Sequence, residues 1–267
     1  MTAAAVSGGN TGAAPAGSII YLEDVTVDYD GFKALRALNF FMDHRELRVV
    51  IGPNGAGKTT LLDVISGKVT PSAGRVIFGR NTDLVGRREN EIATLGIGRK
   101  FQTPSIFANL SVRENLELSL ARPSKGVFAT LRARLDGAGR GRVREALEAI
   151  GLASKAALRA GGLSHGEKQW LEIGMVLVQQ AGLLLVDEPV AGMTDEETER
   201  TADLLRAVAR DRAVLVIEHD MEFVRSIGGK VTVLHEGAVL CEGTVDEVQR
   251  DERVMEVYLG RDRDGDA

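Results

Sequence analysis

The stretch Gly52-Pro53-Asn54-Gly55-Ala56-Gly57-Lys58-Thr59-Thr60 fits the phosphate-binding pattern G-x-x-x-x-G-K-[ST] without a mismatch. Such a loop turns a run of backbone N–H groups toward a polyphosphate, and its glycines keep side chains away from the anion. Lys58 offers a point charge to the β- and γ-phosphates. Thr59 offers a hydroxyl to Mg²⁺, which takes oxygen ligands and keeps several waters. The pattern arises by chance in roughly one chain in a hundred of this length. The competing reading is a glycine-rich turn with a surface lysine.

Other residues of reactive type follow strand-like runs. Asp187-Glu188 ends the apolar run Leu183–Val186. A carboxylate there lies at the C-terminal edge of a parallel sheet, where open α/β folds bind ligands. Asp187 is suited to Mg²⁺, and Glu188 to polarising an attacking water as general base. Their other reading is a strand-end pair capping the turn before Pro189. His219 follows a second apolar run, and its neutral imidazole can hydrogen-bond a γ-phosphate. Gln102, where β pattern gives way to helix, can ligate Mg²⁺ or position water. Ser164 and Glu167 form an S-x-x-E capping box, and a helix N-terminus there also suits phosphate. Tyr29 precedes the loop and can stack on adenine.

Positioning these groups requires strands that run into loops. Leu47–Ile51 reads as a buried strand entering the phosphate loop, and residues 58–65 as the helix leaving it, with its positive dipole end toward the phosphates. Residues 19–27, 37–42 and 75–79 read as strands, and Ser111–Leu118 as a helix with its own capping box. Leu183–Asp187, apolar up to its closing aspartate, and the all-apolar Ala213–Ile217 are as expected for central parallel strands covered on both faces. Val231–Leu234 and Ala238–Cys241 read as a late hairpin. Residues 122–144 are rich in Gly and Arg, read as a mobile excursion and receive no function. The class is α/β with a helical insertion.

Composition bounds the function. The 267 residues carry a net charge of −5, which argues against broad attraction to nucleic acid. The single cysteine, Cys241, fits a reducing compartment. No run of 18 apolar residues is present, so a membrane-spanning helix is not expected. Residues 1–18 read as a disordered leader, and 261–267 as a charged tail.

Taken in order, Tyr29, the loop 52–60, Gln102, Leu163–Glu167, Leu183–Glu188 and His219 resemble the ATP-binding-cassette (ABC) ATPases. They match that family's aromatic loop, phosphate loop, glutamine loop, signature, acidic strand motif and switch histidine. The resemblance spans roughly residues 19–259. It implies a P-loop NTPase core with an antiparallel β subdomain, over 19–101 and 171–260, and a helical subdomain over 102–170. It implies ATP and Mg²⁺ as cofactors, with Thr59, Gln102 and Asp187 around the metal and Lys58, Glu188 and His219 in catalysis. It further implies a head-to-tail dimer in which Ser164, His165, Gly166 and Glu167 of one subunit face the phosphate loop of the other. The implied partners are a second ATPase subunit, two integral membrane permease subunits and, indirectly, a solute-binding protein. The implied place is the cytoplasmic face of the inner membrane.

Gly98–Pro104, Glu188–Met193 and Glu218–Met221 look like the branch that imports branched-chain amino acids and amides. The wording Leu163–Trp170, with Met193–Glu199, Met221–Ile227 and Val257–Gly260, is similar to the urea importers within it. Urea is the leading expectation, with branched-chain amino acids or short amides as the alternative and a soluble ABC ATPase less favoured. The common signature has Gly at the position of His165 and Gln at that of Glu167. A glutamate there weakens phosphate contact unless it points into its own capping box. The family often has Asp where Thr194 stands, and here Thr194 and Glu197 form a further capping box.

Overall fold

The computed structural model describes residues 17–100, 106–120 and 136–259. Two sheets organise it. Strands β1 (Ser18–Tyr29), β2 (Phe32–Asp43), β4 (Ala73–Phe78) and β5 (Thr82–Asp83) form an antiparallel sheet in the order β2-β1-β4-β5. Strands β3 (Leu47–Ile51), β6 (Ile97–Lys100), β7 (Leu183–Asp187), β8 (Ala213–Ile217), β9 (Lys230–His235) and β10 (Ala238–Gly243) form the second, ordered β10-β9-β3-β8-β7-β6. Its neighbours are parallel except for the β9–β10 hairpin at one edge.

The all-apolar strands divide their side chains between two cores, because successive residues of a strand point to opposite faces. Leu184 and Val186 of β7 and Val214 and Val216 of β8 face one core, closed by helices. Leu183, Leu185, Leu215 and Ile217 face the other, closed by the antiparallel sheet and the helix after the phosphate loop. This double burial fixes the register and brings the ends of β3, β8 and β7 side by side. Val50 and Asp187 both pair with Ile217.

Among the described residues the α-helices are α1 (Lys58–Ser66), α2 (Glu89–Leu95), α3 (Val112–Ser119), α4 (Gly137–Ala149), α5 (His165–Leu177), α6 (Asp195–Ala209), α7 (Met221–Ile227), α8 (Val245–Arg250) and α9 (Glu252–Leu259). Residues 137–144 are thus helical, where the sequence read as an excursion. Asp136 caps α4 by accepting from the Gly139 N–H at 2.6 Å. Val143, Ala146 and Leu147 bury one face of α4, which packs on α3 and α5. Three glycines in its first turns obscure that periodicity. Helix α5 runs unbroken across the boundary expected after residue 170. The leader through residue 16, the tail from 260, Gln102 and residues 121–135 lie outside the described residues.

Candidate nucleotide site

Six residues connect β3 to α1, and glycine is needed at two of them. A Cβ on Gly52 would stand 2.2 Å from the Leu234 carbonyl oxygen. One on Gly57, whose φ is +99°, would stand 2.6 Å from the Ala34 carbonyl oxygen. The hairpin turn after β9 braces the loop, with Gly237 N–H donating to Ala56 O at 3.1 Å and Arg36 N–H to Gly237 O at 2.9 Å. Pro53 is half-buried, and Asn54 and Gly55 are exposed at the crest. Lys58 Nζ lies across the loop, donating to the carbonyls of Gly52 at 2.7 Å and Pro53 at 3.1 Å. Burial pulls its ammonium below the usual lysine range, while Glu188 and Asp187 act against that pull.

The N-terminus of α1 differs from its neighbours. Helices α3, α5, α6 and α8 each close theirs with a Ser or Thr and a Glu three residues on. Helix α1 has no side-chain cap and no acid in its first turn. Its free N–H groups, with exposed Thr59 and half-buried Thr60 beside them, are open to an anion.

Asp187 ends β7 on the same edge. Its side chain is buried, and Oδ1 has no hydrogen-bond partner among the described residues. Oδ2 lies 3.9 Å from Arg99 Nη2. Arg99 reaches from β6 to α1, where Nη1 donates to Asp63 Oδ1 at 2.6 Å and Ser66 Oγ at 2.9 Å. Burial pushes the Asp187 carboxyl above its usual range, with Arg99 opposing. A buried carboxylate oxygen without a donor is what a cation ligand requires. No group of three or more His, Cys, Asp or Glu forms a metal cage among the described residues.

Glu188 leaves the strand with φ +44° and donates its N–H to Ile217 O at 3.0 Å. Its carboxylate stands 3.6 Å from His219 Nδ1, so the structure brings these two together. Glu218 sets the backbone between them. Its buried carboxylate accepts from the N–H groups of His219 at 2.9 Å, Asp220 at 3.3 Å and Val190 at 3.4 Å. Burial pushes Glu218 up, and those donors oppose it. A cavity of about 710 Å³ opens beside them, bounded by residues 190–193, α6 and α7.

The segment Leu163–Glu167 stands apart from this loop. No hydrogen bond or ion pair among the described residues joins it to 52–60. Ser164 Oγ accepts from Glu167 N at 3.2 Å and donates to Glu197 Oε1 at 3.1 Å. A Cβ on Gly166 would meet that Glu197 carboxylate at 2.6 Å. His165 Nε2 lies 3.1 Å from Ala191 O. Glu167 does point into its capping box, taking the Ser164 N–H at 3.1 Å and Lys155 Nζ at 2.5 Å. Burial acts against ionisation of Glu167, but Lys155 and the Ser164 N–H outweigh it and hold the carboxyl below its usual range. Tyr29 ends β1 opposite Phe32, both rings largely exposed.

Sequence reasoning gave no site role to Arg99, Asp63 and Glu218, and it read Glu197 only as the acid of a capping box. Each is charged beside a motif, and only the sheet order shows which charge each one meets. The S/T-x-x-E pattern at 164–167 and 194–197 was the available signal for Glu197.

An uncapped helix under a glycine cradle, with a buried acid on a neighbouring parallel strand, defines a P-loop nucleotide-binding protein. Comparison with known proteins narrows this. The ABC transporter family model matches residues 35–191, and the model for the branched-chain amino acid ATP-binding cassette transporter matches 238–264. The high-affinity branched-chain amino acid transport ATP-binding protein LivG of Escherichia coli K12 is 31% identical over 250 residues, covering 91% of this chain and 98% of LivG. BraF of Pseudomonas aeruginosa, with the same description, is 31% identical over 259 residues, covering 91% and 98%. The ADP conformation of an ATP-binding cassette of an ABC transporter superposes with a TM-score of 0.81 at 28% identity, covering 91% of this chain and 99% of that one.

The chain belongs to the ABC transporter ATP-binding family, in its branched-chain amino acid branch. It is the ATP-hydrolysing subunit of an ABC importer, a type that dimerises and works with membrane permeases. Among the described residues no helix is long and apolar enough to cross a membrane.

Proposed function

We propose that this subunit energises the uptake of a branched-chain amino acid or a short-chain amide. Support comes from the 31% identity to LivG and BraF over 91% of the chain. The LivG and BraF relatives favour this solute class over the urea expectation. Urea stands as a second reading, favoured by the wording of Leu163–Trp170, where His165 and Glu167 replace the residues of the common signature.

In this reading the backbone of Gly52–Gly57, Lys58 and the α1 N-terminus hold the β- and γ-phosphates of ATP, while Tyr29 stacks on adenine. The observation that carries the site is the uncapped N-terminus of α1. Thr59, Asp187 and Gln102 would hold Mg²⁺, which offsets phosphate charge when bound. Glu188 takes the proton of the attacking water, and His219, 3.6 Å away, holds Glu188 and the γ-phosphate in line. Ser164 and Gly166 complete the site of a second ATPase subunit. The chain works on the cytoplasmic face of the membrane, and the segment from Ile106 through α3, with Phe107 49% exposed, meets a permease.

The test is uptake of labelled leucine, a labelled short amide and labelled urea in a strain lacking this chain. Loss of leucine or amide uptake, restored by the wild-type chain and not by Glu188→Gln, is the expected result. Loss of urea uptake alone selects the second reading, and unchanged uptake of all three refutes both.

A further inference from the structure

Lys100 closes β6 beside the acidic end of β7, and no step of the reading above uses it. It pairs with Val186, the residue before Asp187. Successive residues of a strand face opposite ways. Arg99 reaches α1 on one side of the sheet, so Lys100 points to the other, where Val186 joins the core closed by helices. There Lys100 is 1% exposed, and Nζ has no hydrogen-bond partner among the described residues. An ammonium taken out of water is costly unless opposite charge surrounds it. Its setting supplies that charge. Four carboxylates act on it, Glu172 most strongly and then Asp187, Glu218 and Glu188. Glu172 is buried on α5, the helix that begins just after Ser164. The other three stand at the ends of β7 and β8.

Those three carboxylates repel one another, and they are not held alike. Asp187 is met by Arg99 Nη2 at 3.9 Å, and Glu218 accepts three backbone N–H groups. Glu188 is 33% exposed and is met by His219 Nδ1 at 3.6 Å, on a side chain that is itself largely exposed. At Asp187 the neighbouring Glu188 acts as a repulsion, while Arg99 and Lys100 act as attractions. Lys100 is thus a cation set between α5 and the acids of the hydrolysis site, and of those acids Glu188 has the weakest fixed support.

We propose that Lys100 is a positioning residue for hydrolysis. Its charge, balanced from α5 by Glu172, holds the Glu188 carboxylate at the end of β7 against repulsion from Asp187 and Glu218. This role depends on Glu188 being the base, as read above.

The test is ATP hydrolysis by the full chain copurified with its permease, with binding of a slowly hydrolysed ATP analogue measured alongside. Lys100→Met keeps the apolar stem and removes the charge. It is expected to lower kcat about tenfold, with KM and analogue affinity within about twofold of wild type, the scale of coupling between neighbouring charged groups. In a Glu188→Gln background the same change is expected to lower the residual rate by less than about twofold, because the group it positions is gone. A lysine with a structural role alone changes the yield of folded protein and moves both backgrounds alike. Equal fold losses in the two backgrounds therefore overturn the proposal, as does wild-type kcat for Lys100→Met where Glu188→Gln is slow. Wild-type turnover by Glu188→Gln removes the base itself, and the positioning role falls with it. Glu172→Gln leaves Lys100 in place and serves where Lys100→Met does not fold. It is expected to lower kcat about threefold with Glu188 present and to have no effect in the Glu188→Gln background. An unchanged kcat for Glu172→Gln in that case overturns the proposal.

Discussion

Replacing Arg99 with methionine removes a guanidinium that joins β6, α1 and the acidic end of β7. Its side chain is 6% exposed, against 13% for Asp63 and 2% for Asp187. Deleting one member of a buried pair leaves the other charge uncompensated and costs about 3–5 kcal/mol. Methionine keeps most of the length and apolar contact of the arginine stem, so the added packing penalty stays below about 1.5 kcal/mol. Lys68 Nζ, 3.6 Å from Asp63, takes up part of the lost attraction, but it is half exposed and screened. The balance is a loss of about 3 kcal/mol, or roughly 6–12 °C in melting temperature at about 2–4 °C per kcal/mol. Urea unfolding of the nucleotide-free chain measures it. A double-mutant cycle with Asp63→Asn isolates the pair, and the second change is expected to restore at least about 1 kcal/mol in the R99M background. A loss under about 1 kcal/mol for R99M, or strict additivity in the cycle, refutes the reasoning.

Glu188→Gln is expected to retain ATP binding and to slow hydrolysis by about 10²–10⁴-fold, as for loss of a general base. Wild-type turnover in the assembled transporter excludes Glu188 from that role. Lys58→Ala is expected to lose about 3 kcal/mol or more of transition-state stabilisation, and a kcat/KM for ATP equal to wild type removes the lysine from the phosphate site. Glu242 accepts from Lys230 Nζ at 2.9 Å and Thr232 Oγ1 at 2.8 Å and is paired with buried Arg48. Burial opposes its ionisation, but these partners outweigh burial and hold the carboxyl below its usual range. The unfolded chain therefore takes up the proton first as pH falls. The contribution is present above the ordinary glutamate range and is lost as pH falls from that range through the lower folded-state value. Glu242→Gln should cost about 2 kcal/mol near pH 7, and the gap from wild type should close below about pH 4. A gap in unfolding free energy that stays constant down to pH 3 contradicts this.

The strands were legible because both faces of β7 and β8 are apolar, and a doubly covered parallel strand accepts the four apolar residues of β7 and the five of β8 in a row. The phosphate loop was legible because Gly52 and Gly57 meet backbone oxygens, a constraint that leaves no alternative residue at those two positions. Capping boxes at Ser111, Ser164 and Thr194 announced three helix starts. Helix α4 was not legible, because Gly137, Gly139 and Gly141 hide its apolar face. Arg99 was not legible as a bridge, because its partners sit 36 residues before it on Asp63 and far beyond it on Asp187. Only the placement of β6 beside β7 brings them together. The solute was not legible from chemistry at all, since no residue of the nucleotide site faces it.

The same capping pattern that announces helices also constrains the proposed exchange between subunits. Ser164 Oγ donates to Glu197, which is itself held by Thr194 N–H at 3.2 Å in the box that opens α6. His165 meanwhile holds Ala191 O, in the turn that follows Glu188. A phosphate arriving at Ser164 must therefore take the hydroxyl away from a carboxylate, and like charges do not share that donor. Releasing Glu197 frees the box at Thr194, three residues from Ala191 and six from Glu188. In the proposed dimer, the segment Leu163–Glu167 that serves one site and the Glu188 that serves the other would thus be joined within one chain by two hydrogen bonds. Glu167 escapes the same conflict, because Lys155 and the Ser164 N–H hold its charge within its own box. A glutamate in the signature is tolerable here for that reason, whereas Glu197 is the carboxylate that an arriving phosphate has to move.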